Sequence, residues 1–255
     1  MLKRMAFVGL LAVICAHSNA QVIYSNGFSK AEGYIDGTVI DQPAGAANLW
    51  EDSPADTPDG FFMIENETLV VTQVDTSDHW IFINFPKQTA GVFTVTWDWQ
   101  YVGPVDGNID VGFCISTRSN FDFDGNPELG WPEQGVMSRM QEGGGGVVDC
   151  RNGDWVGGGS YQAFQVFPYT DGKKISMRYV IDVDVSDQLF SCYAQKEGED
   201  EVQLAEDFGF RRETYPDEGL NVISIWMSGN TVGTQCIIDN IVIFGPAPIT
   251  EWPLY

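Results

Sequence analysis

The stretch VFTVTWDWQYV, residues 92–102, decides the fold, because large apolar residues recur in it at every second position. One face of an extended chain would carry Phe93, Val95, Trp97, Trp99 and Tyr101, and the other face Thr94, Thr96, Asp98 and Gln100. Such alternation predicts a β-strand with one buried face and one solvated face.

The same period of two continues outward from this stretch. It recurs in NIDVGFCIS, residues 108–116, and in ISMRYVIDVDV, residues 175–185. Shorter strands are predicted in VIYS (22–25), TLVVTQVD (68–75), HWIFINF (79–85), YQAFQVF (161–167), QLFSCYAQ (188–195), VISIWMS (222–228) and CIIDNIVIF (236–244). Loops are predicted in EDSPADTPDG (51–60), MQEGGGGVV (140–148) and RNGDWVGGGS (151–160). Many short strands without an amphipathic helix predict an all-β fold, an antiparallel β-sandwich or jelly roll.

Two segments at the ends of this pattern support a more specific fold. GFSKAEGYIDGTVIDQ, residues 27–42, places Phe28, Glu32, Tyr34 and Gly37 in an order that resembles the first strand of concanavalin A-like (LamG-like) jelly-roll domains of exported bacterial proteins. CIIDNIVIFG, residues 236–245, is similar to their last strand. The resemblance implies a fold that serves lectins, carbohydrate-binding modules, glycosidases, lyases and structural domains, so function has to be argued from sites.

The first 20 residues have the pattern of a secretory signal peptide. Lys3 and Arg4 precede a short apolar run, and small residues end at Ala20. We therefore expect a leader over residues 1–20, one β-sandwich domain over residues 21–255, and a protein that is secreted, periplasmic or at the cell surface.

Acidic residues dominate the chain. Without Lys3 and Arg4, 11 basic residues face 36 acidic ones, a net charge of −25. This charge argues against nucleic acid and anionic membranes as partners, and against strongly anionic glycans unless calcium or a local basic patch intervenes. No second long apolar run follows the leader, so membrane insertion is not expected. Neutral polysaccharides and glycoconjugates remain open as partners.

Four cysteines follow the leader: Cys114, Cys150, Cys192 and Cys236. An even number in an exported chain predicts two disulfides, for which three pairings are possible. Four buried thiols are the alternative.

A candidate calcium loop lies in NFDFDGNPELGW, residues 120–131. Asp122, Asp124 and Asn126 have the one-three-five spacing of oxygen ligands that converge on a hard cation. Pro127 occupies the position where an EF-hand needs glycine, so a site here would require ligands from elsewhere. The same residues are also common in solvated turns.

A candidate glycan surface comes from the polar sides of the predicted strands. It comprises Asp98, Gln100, Asp110, Ser116, Ser176, Arg178, Asp182 and Asp184. Asp182 and Asp184 would lie about 6.5–7 Å apart on one strand, which is compatible with a glycosidase carboxylate pair. The alternative is a strand face that simply meets water. Trp131 and Trp155 lie in predicted loops, where an indole ring can stack on a sugar or close the end of the sandwich.

Basic residues cluster between residues 118 and 178. They are Arg118, Arg139, Arg151, Lys173, Lys174 and Arg178, with Tyr161 and Gln162 in the same segment. This clustering predicts a local anion-binding patch and is the basis for a lyase hypothesis.

Three functions remain open from the sequence. The leading hypothesis is a non-catalytic glycan-binding or surface-interaction domain, with or without stabilising calcium. The second is a polysaccharide lyase or glycoside hydrolase that uses Asp182, Asp184 or Arg178. The third is a structural envelope or matrix protein.

Overall fold

The structure is a computed structural model, and it describes residues 20–43, 46, 48–53, 57–103, 109–117, 134–141, 146–153, 159–184, 188–211, 219–229 and 232–245. In these residues the strands are β1 (Val22–Asn26), β2 (Gly37–Thr38), β3 (Glu51–Ser53), β4 (Phe62–Glu65), β5 (Thr68–Thr72), β6 (His79–Gln88), β7 (Val92–Val102), β8 (Ile109–Ser116), β9 (Gln134–Gln141), β10 (Val147–Asn152), β11 (Ser160–Gln162), β12 (Ile175–Asp182), β13 (Leu189–Lys196), β14 (Val202–Gly209), β15 (Leu220–Gly229) and β16 (Gln235–Phe244). A single 3-10 turn, Lys30–Glu32, follows β1.

The strands form two antiparallel sheets, which confirms the predicted fold class. The nine-stranded sheet has the order β14-β13-β12-β7-β16-β5-β4-β2, and β1 also pairs with β16. The seven-stranded sheet has the order β11-β10-β9-β8-β15-β6-β3. Among the described residues, no helix is long and apolar enough to cross a membrane.

The core lies between the two sheets, and the face of residues 92–102 that was predicted to be buried contributes to it. Trp97 of β7 stacks on Phe113 of β8, in the opposite sheet, with ring centroids 4.0 Å apart. Tyr179 of β12 crosses the same gap and donates a hydrogen bond to the Phe113 carbonyl over 2.9 Å. Aromatic and β-branched residues suit these strands because their side chains pack well on a pleated surface.

Residues 27–42, which resemble the first strand of concanavalin A-like domains, have a structural role. Glu32 accepts hydrogen bonds from the backbone N–H of Gly27 and of Ser29, which fixes the turn after β1. Phe28 and Tyr34 are buried behind it, and the Tyr34 hydroxyl accepts a hydrogen bond from the Trp50 indole over 3.0 Å.

Several predicted boundaries were wrong. The predicted loops at 51–60, 140–148 and 151–160 contain parts of β3, β9, β10 and β11. Conversely, only Tyr161 and Gln162 of the predicted strand 161–167 lie in a strand. After Gln162 the chain bends toward the other sheet, where the Phe164 N–H donates to the Leu204 carbonyl.

Candidate functional site

The outer face of the seven-stranded sheet is buried, although the sequence predicted a solvated surface there. Cys114 and Ser116 of β8, Met137 of β9 and Trp226 of β15 are all almost fully buried on this face. An antiparallel sheet usually leaves its outer face in water. This face therefore carries a second, smaller packing layer, and polar groups within it are candidates for function.

Strand register gathers five polar or aromatic residues at one end of this face. Arg139 of β9 pairs with Asp149 of β10, and Arg151 of β10 pairs with Tyr161 of β11. Asp110 of β8 lies within reach of Arg139, two strands away from Asp149. We call Arg139, Asp149, Asp110, Arg151 and Tyr161 the Tyr161 centre.

The guanidinium of Arg139 bridges the two carboxylates of the Tyr161 centre. Its Nε donates to Asp149 Oδ1 over 2.9 Å, and Nη2 donates to Asp149 Oδ2 over 3.3 Å. Its Nη1 donates to Asp110 Oδ2 over 2.6 Å. The Arg139 side chain is 14% exposed and that of Asp149 only 9%, so this ion pair is poorly screened by solvent.

The flat face of the same guanidinium lies over an aromatic ring. Arg139 Cζ is 3.5 Å from the centre of the Tyr161 ring, and Arg151 Cζ is 5.2 Å from it. The Tyr161 hydroxyl donates to the sulfur of Met137 over 3.2 Å. The cation–π contact and the hydrogen bonds from the guanidinium to the carboxylates together hold the Arg139 and Tyr161 side chains in one orientation.

Two tryptophans form the wall of the Tyr161 centre. The rings of Trp80 and Trp226 lie 5.5 Å apart on β6 and β15. Trp226 pairs with Gly112 of β8, and a Cβ at Gly112 would overlap the Trp226 indole nitrogen. Glycine is therefore required at position 112 for the indole to lie across β8 toward Arg139.

A third arginine reaches the same layer from the end of β14. The Arg211 N–H donates to the Gly135 carbonyl, and Arg211 Nη1 lies 3.5 Å from the sulfur of Met137. Burial lowers the pKa of Arg211, and the positive charges of the nearby Arg151 and Arg139 lower it further.

Burial also sets the protonation of the Tyr161 centre. It raises the pKa of Tyr161 to about 12, against the opposing effect of Arg211 and Arg139. It raises the pKa of Asp149 to about 6, although the hydrogen bond from Arg139 acts in the opposite direction. At neutral pH the Tyr161 phenol is therefore neutral, and the Asp149 carboxylate is ionised beside Arg139.

Most residues of the predicted glycan surface lie on the opposite side of the molecule. On the outer face of the nine-stranded sheet, Asp98 accepts hydrogen bonds from Ser176 over 2.8 Å and from Asn240 over 2.7 Å. Its Oδ2 also pairs with Lys174 Nζ at 2.6 Å. Gln100 donates to the Gly172 carbonyl. This polar cluster is half-buried and already hydrogen-bonded within itself.

The catalytic candidates of the sequence have partners of their own. Arg178 forms two hydrogen bonds with Glu201 and stacks over the Tyr193 ring at 3.9 Å. Asp182 accepts the backbone N–H of Asp184, and Asp184 accepts that of Gly91. Asp182 thus fixes the backbone at the end of β12, and Asp184 joins it to Gly91 between β6 and β7.

The structure therefore divides the predicted polar surface between two sheets. It separates Asp110 and Ser116 on the seven-stranded sheet from Asp98, Gln100, Ser176, Arg178 and Asp182 on the nine-stranded sheet. The basic segment is divided as well, because Arg139 and Arg151 meet Tyr161 whereas Lys174 and Arg178 do not. Asp122, Asp124, Asn126, Trp131, Trp155 and Arg118 lie outside the described residues.

Asp149, Trp80, Trp226 and Arg211 were not predicted as site residues. Asp149 lay in a segment without a strand prediction, and Trp80 and Trp226 lay in predicted strands without an assigned role. The one available signal was the basic segment, which named Arg139, Arg151 and Tyr161 without indicating that they would meet.

The predicted disulfides are absent from the structure. Cys114, Cys150, Cys192 and Cys236 are all buried free thiols. They do not form two close pairs, because Cys114 lies in the outer layer with Trp80 and Met137, and Cys236 lies in the core beside Trp99.

The structure also bears on metal binding, within the ranges it describes. There, no three His, Cys, Asp or Glu side chains converge as a metal site. The candidate calcium residues lie elsewhere in the chain, so calcium binding at Asp122, Asp124 and Asn126 stays a prediction.

Comparisons with known proteins identify the architecture. No protein-family model matches the chain, and no curated protein matches it in sequence. The CBM2 module of the evolved Dit protein of Lactobacillus casei BL23 phage J-1 is similar in structure over 92% of this chain and 99% of the module, with 9% identity and a TM-score of 0.56.

Two carbohydrate recognition domains are also similar in structure. The match to the Emp46p domain covers 88% of this chain and 97% of that domain, with 10% identity and a TM-score of 0.51. The match to the Emp47p domain covers 90% and 98%, with 15% identity and a TM-score of 0.50. At these identities the likeness shows the fold alone, and that fold is a concanavalin A-like β-sandwich.

Proposed function

We propose that the protein is a non-catalytic glycan-binding β-sandwich and that the glycan binds at the Tyr161 centre. The observation that carries the proposal is the Arg139 guanidinium, which is fixed between two carboxylates and an aromatic ring on a sheet face. The neighbours named as carbohydrate recognition domains support glycan binding at the level of the fold.

The chemistry of the Tyr161 centre suits sugar hydroxyls. A carboxylate has about four lone-pair sites, so Asp110 and Asp149 can accept hydroxyl protons while they remain paired with Arg139. Tyr161 is half-buried, and its ring and hydroxyl provide an apolar surface beside a polar group. Groups already fixed by the sheet lose little conformational entropy when a ligand binds.

The pKa of Tyr161 supports binding in preference to proton abstraction by this residue. With a pKa of about 12, the phenol is protonated at neutral pH and acts as a hydrogen-bonding group. A general base would need a pKa near the working pH.

One observation favours a second candidate, a polysaccharide-degrading enzyme. Burial raises the pKa of Asp149 to about 6, and Asp149 shares Arg139 with Asp110; a carboxyl group with a raised pKa beside a second carboxyl group suits a general acid. Release of reducing ends from a polysaccharide panel, lost in Asp149→Asn, would favour this candidate over simple binding.

Export and calcium belong to the proposal and are supported by sequence alone. Residues 1–20 would be removed as a leader, residues 21–255 would form the secreted or surface-bound domain, and the loop with Asp122, Asp124 and Asn126 would bind calcium.

The test is a glycan array followed by affinity measurement on the glycans that bind. Tyr161→Ala should weaken binding roughly tenfold, since an aromatic contact contributes about 0.5–1.5 kcal/mol beyond its buried area. Tyr193→Ala is the matched control, because Tyr193 also carries a stacked arginine but lies on the opposite sheet. Equal effects of the two substitutions, or no glycan bound by the folded protein, would contradict the proposal.

A further inference from the structure

Two of the four buried cysteines face each other across the core of the sandwich. Cys150 lies on the inner side of β10 in the seven-stranded sheet, and Cys192 lies on the inner side of β13 in the nine-stranded sheet. Both are fully buried in the same core cluster.

A hydrogen bond between the sheets fixes these positions. The Tyr179 hydroxyl of β12, whose proton goes to the Phe113 carbonyl, accepts a hydrogen bond from the Ser138 hydroxyl of β9 over 2.6 Å. In strand register Tyr179 is the partner of Cys192, and Ser138 is the partner of Cys150. Each cysteine is therefore one strand further toward the same edge of the sandwich, and the two stand opposite each other.

The sheets approach closely at that edge. Facing sheets usually lie about 10 Å apart. Here the Gly153 N–H after β10 donates to the Gly209 carbonyl of β14 over 2.9 Å. The Gly209 N–H in turn donates to Asn152 Oδ1 over 3.2 Å. The residue paired with Cys192 on β14 is the small Ala205, which leaves room for this approach.

The two thiols lie close enough in the reduced protein to affect each other's protonation. Burial raises the pKa of the Cys150 thiol well above its usual range, and its hydrogen bond to the Cys192 thiol raises it further. A protonated, buried thiol reacts slowly, because the thiolate is the nucleophile in disulfide exchange.

We propose that Cys150 and Cys192 are the site of an inter-sheet disulfide that forms when the chain folds in the presence of a small-molecule disulfide. The thiolate of one cysteine attacks the small disulfide and releases one thiol. The thiolate of the other cysteine then attacks the mixed disulfide and releases a second thiol. The two electrons and two protons lost by the cysteines leave with the released thiols. Reaction precedes closure of the core, since both thiols are buried afterwards.

The remaining two cysteines stay reduced. Cys236 on β16 is three strands from Cys192 in the same sheet, about 14 Å at the usual strand spacing. Cys114 points to the outer face of the seven-stranded sheet, away from Cys150. Two cysteines whose Cα atoms are more than about 7 Å apart cannot be bridged without backbone movement.

The experiment compares protein refolded from urea in a mixture of oxidised and reduced glutathione with protein refolded in a non-thiol reductant. Peptide mapping without reduction should show one cross-linked pair that contains Cys150 and Cys192, with Cys114 and Cys236 alkylated as free thiols. The oxidised form should also have a higher urea midpoint. This map needs no substitution, so it is independent of whether cysteine variants fold.

Variants then sharpen the assignment. Cys150→Ala and Cys192→Ala should each abolish the cross-link, whereas Cys114→Ala and Cys236→Ala should retain it. A native-like circular dichroism spectrum with every thiol still free after refolding in oxidised glutathione would overturn the proposal. A cross-link through Cys114 or Cys236 would overturn it as well.

Discussion

Arg139 and Tyr161 are held face to face, with the guanidinium carbon 3.5 Å from the ring centre, while the edge of the same guanidinium is bonded to Asp110 and Asp149. Each nitrogen of the Arg139 guanidinium thus donates to a carboxylate, and its π face lies over the Tyr161 ring. This arrangement makes Arg139 the residue on which the stability of the outer layer depends.

Removal of Arg139 should destabilise the protein strongly. Arg139→Ala leaves the Asp149 carboxylate buried without its counter-ion, and loss of one member of a buried pair costs about 3–5 kcal/mol. The measurement is the free energy of unfolding in urea. Arg178→Ala is the control, because the more exposed Arg178–Glu201 pair should contribute less than about 1 kcal/mol. Similar losses of unfolding free energy in both variants would show that the ion pair of Arg139 is no more shielded from solvent than that of Arg178.

Gly112→Ala should disturb the outer layer without changing charge. The new methyl group would overlap the Trp226 indole, and such overpacking costs about 1–3 kcal/mol. We expect a lower melting temperature and a shift in tryptophan fluorescence. Gly27→Ala is the control, since its Cβ would find its nearest neighbour, a Glu32 oxygen, at 3.4 Å. An unchanged fluorescence spectrum in Gly112→Ala would contradict the close contact.

Titration of Asp149 should make the stability of the protein depend on pH. Its pKa is raised from 3.8 to about 6 in the folded chain, so the folded state binds more protons in that interval. Its contribution to stability therefore falls as the pH rises from about 4 to about 6. Asp149→Asn should remove this fall, which urea unfolding at several pH values measures.

Asp171 provides a control of opposite sign for the pH experiment. The hydrogen bond from Lys196 lowers the pKa of Asp171, so its contribution is present above the unfolded pKa and is lost as the pH falls through the folded pKa. If Asp149→Asn and Asp171→Asn altered the pH profile in the same direction, the assignment for Asp149 would be wrong.

Calcium removal should lower the melting temperature if the loop at residues 120–131 binds an ion. A ligand that binds only the folded state stabilises it by mass action, so excess calcium should raise the melting temperature and chelator should reverse the change. Asp122→Ala should abolish this response. Equal melting curves for the wild type in calcium and in chelator would leave the loop as a solvated turn.

The sequence predicted the strands of the core well because one of their faces is buried and the other is wet. Residues 92–102 show this case, because the alternating apolar residues from Phe93 to Tyr101 all lie in the core, while Val92 and Val102 at the ends of the strand are exposed. The alternation is missing from β9, which has buried residues on both faces. In β9, Val136 and Met140 face the core while Met137 is buried in the outer layer, so no alternation marks the strand.

The candidate site was less predictable for a geometric reason. Alternation tells which residues of one strand share a side, but it does not tell to which sheet the strand belongs. Asp98 and Asp110 both occupied polar positions of alternating strands, and they lie on opposite sides of the sandwich. Arg139, Asp149 and Tyr161 meet only through the pairing of β9, β10 and β11, which local sequence does not encode.

The position of β16 imposes an order on the assembly of the chain. Residues 235–244 lie between β7 on one side and β5 with β1 on the other. Until the ribosome has synthesised these residues, the nine-stranded sheet remains in two halves with unpaired edges. Completion of the nine-stranded sheet therefore depends on the strand that comes last in the described part of the chain.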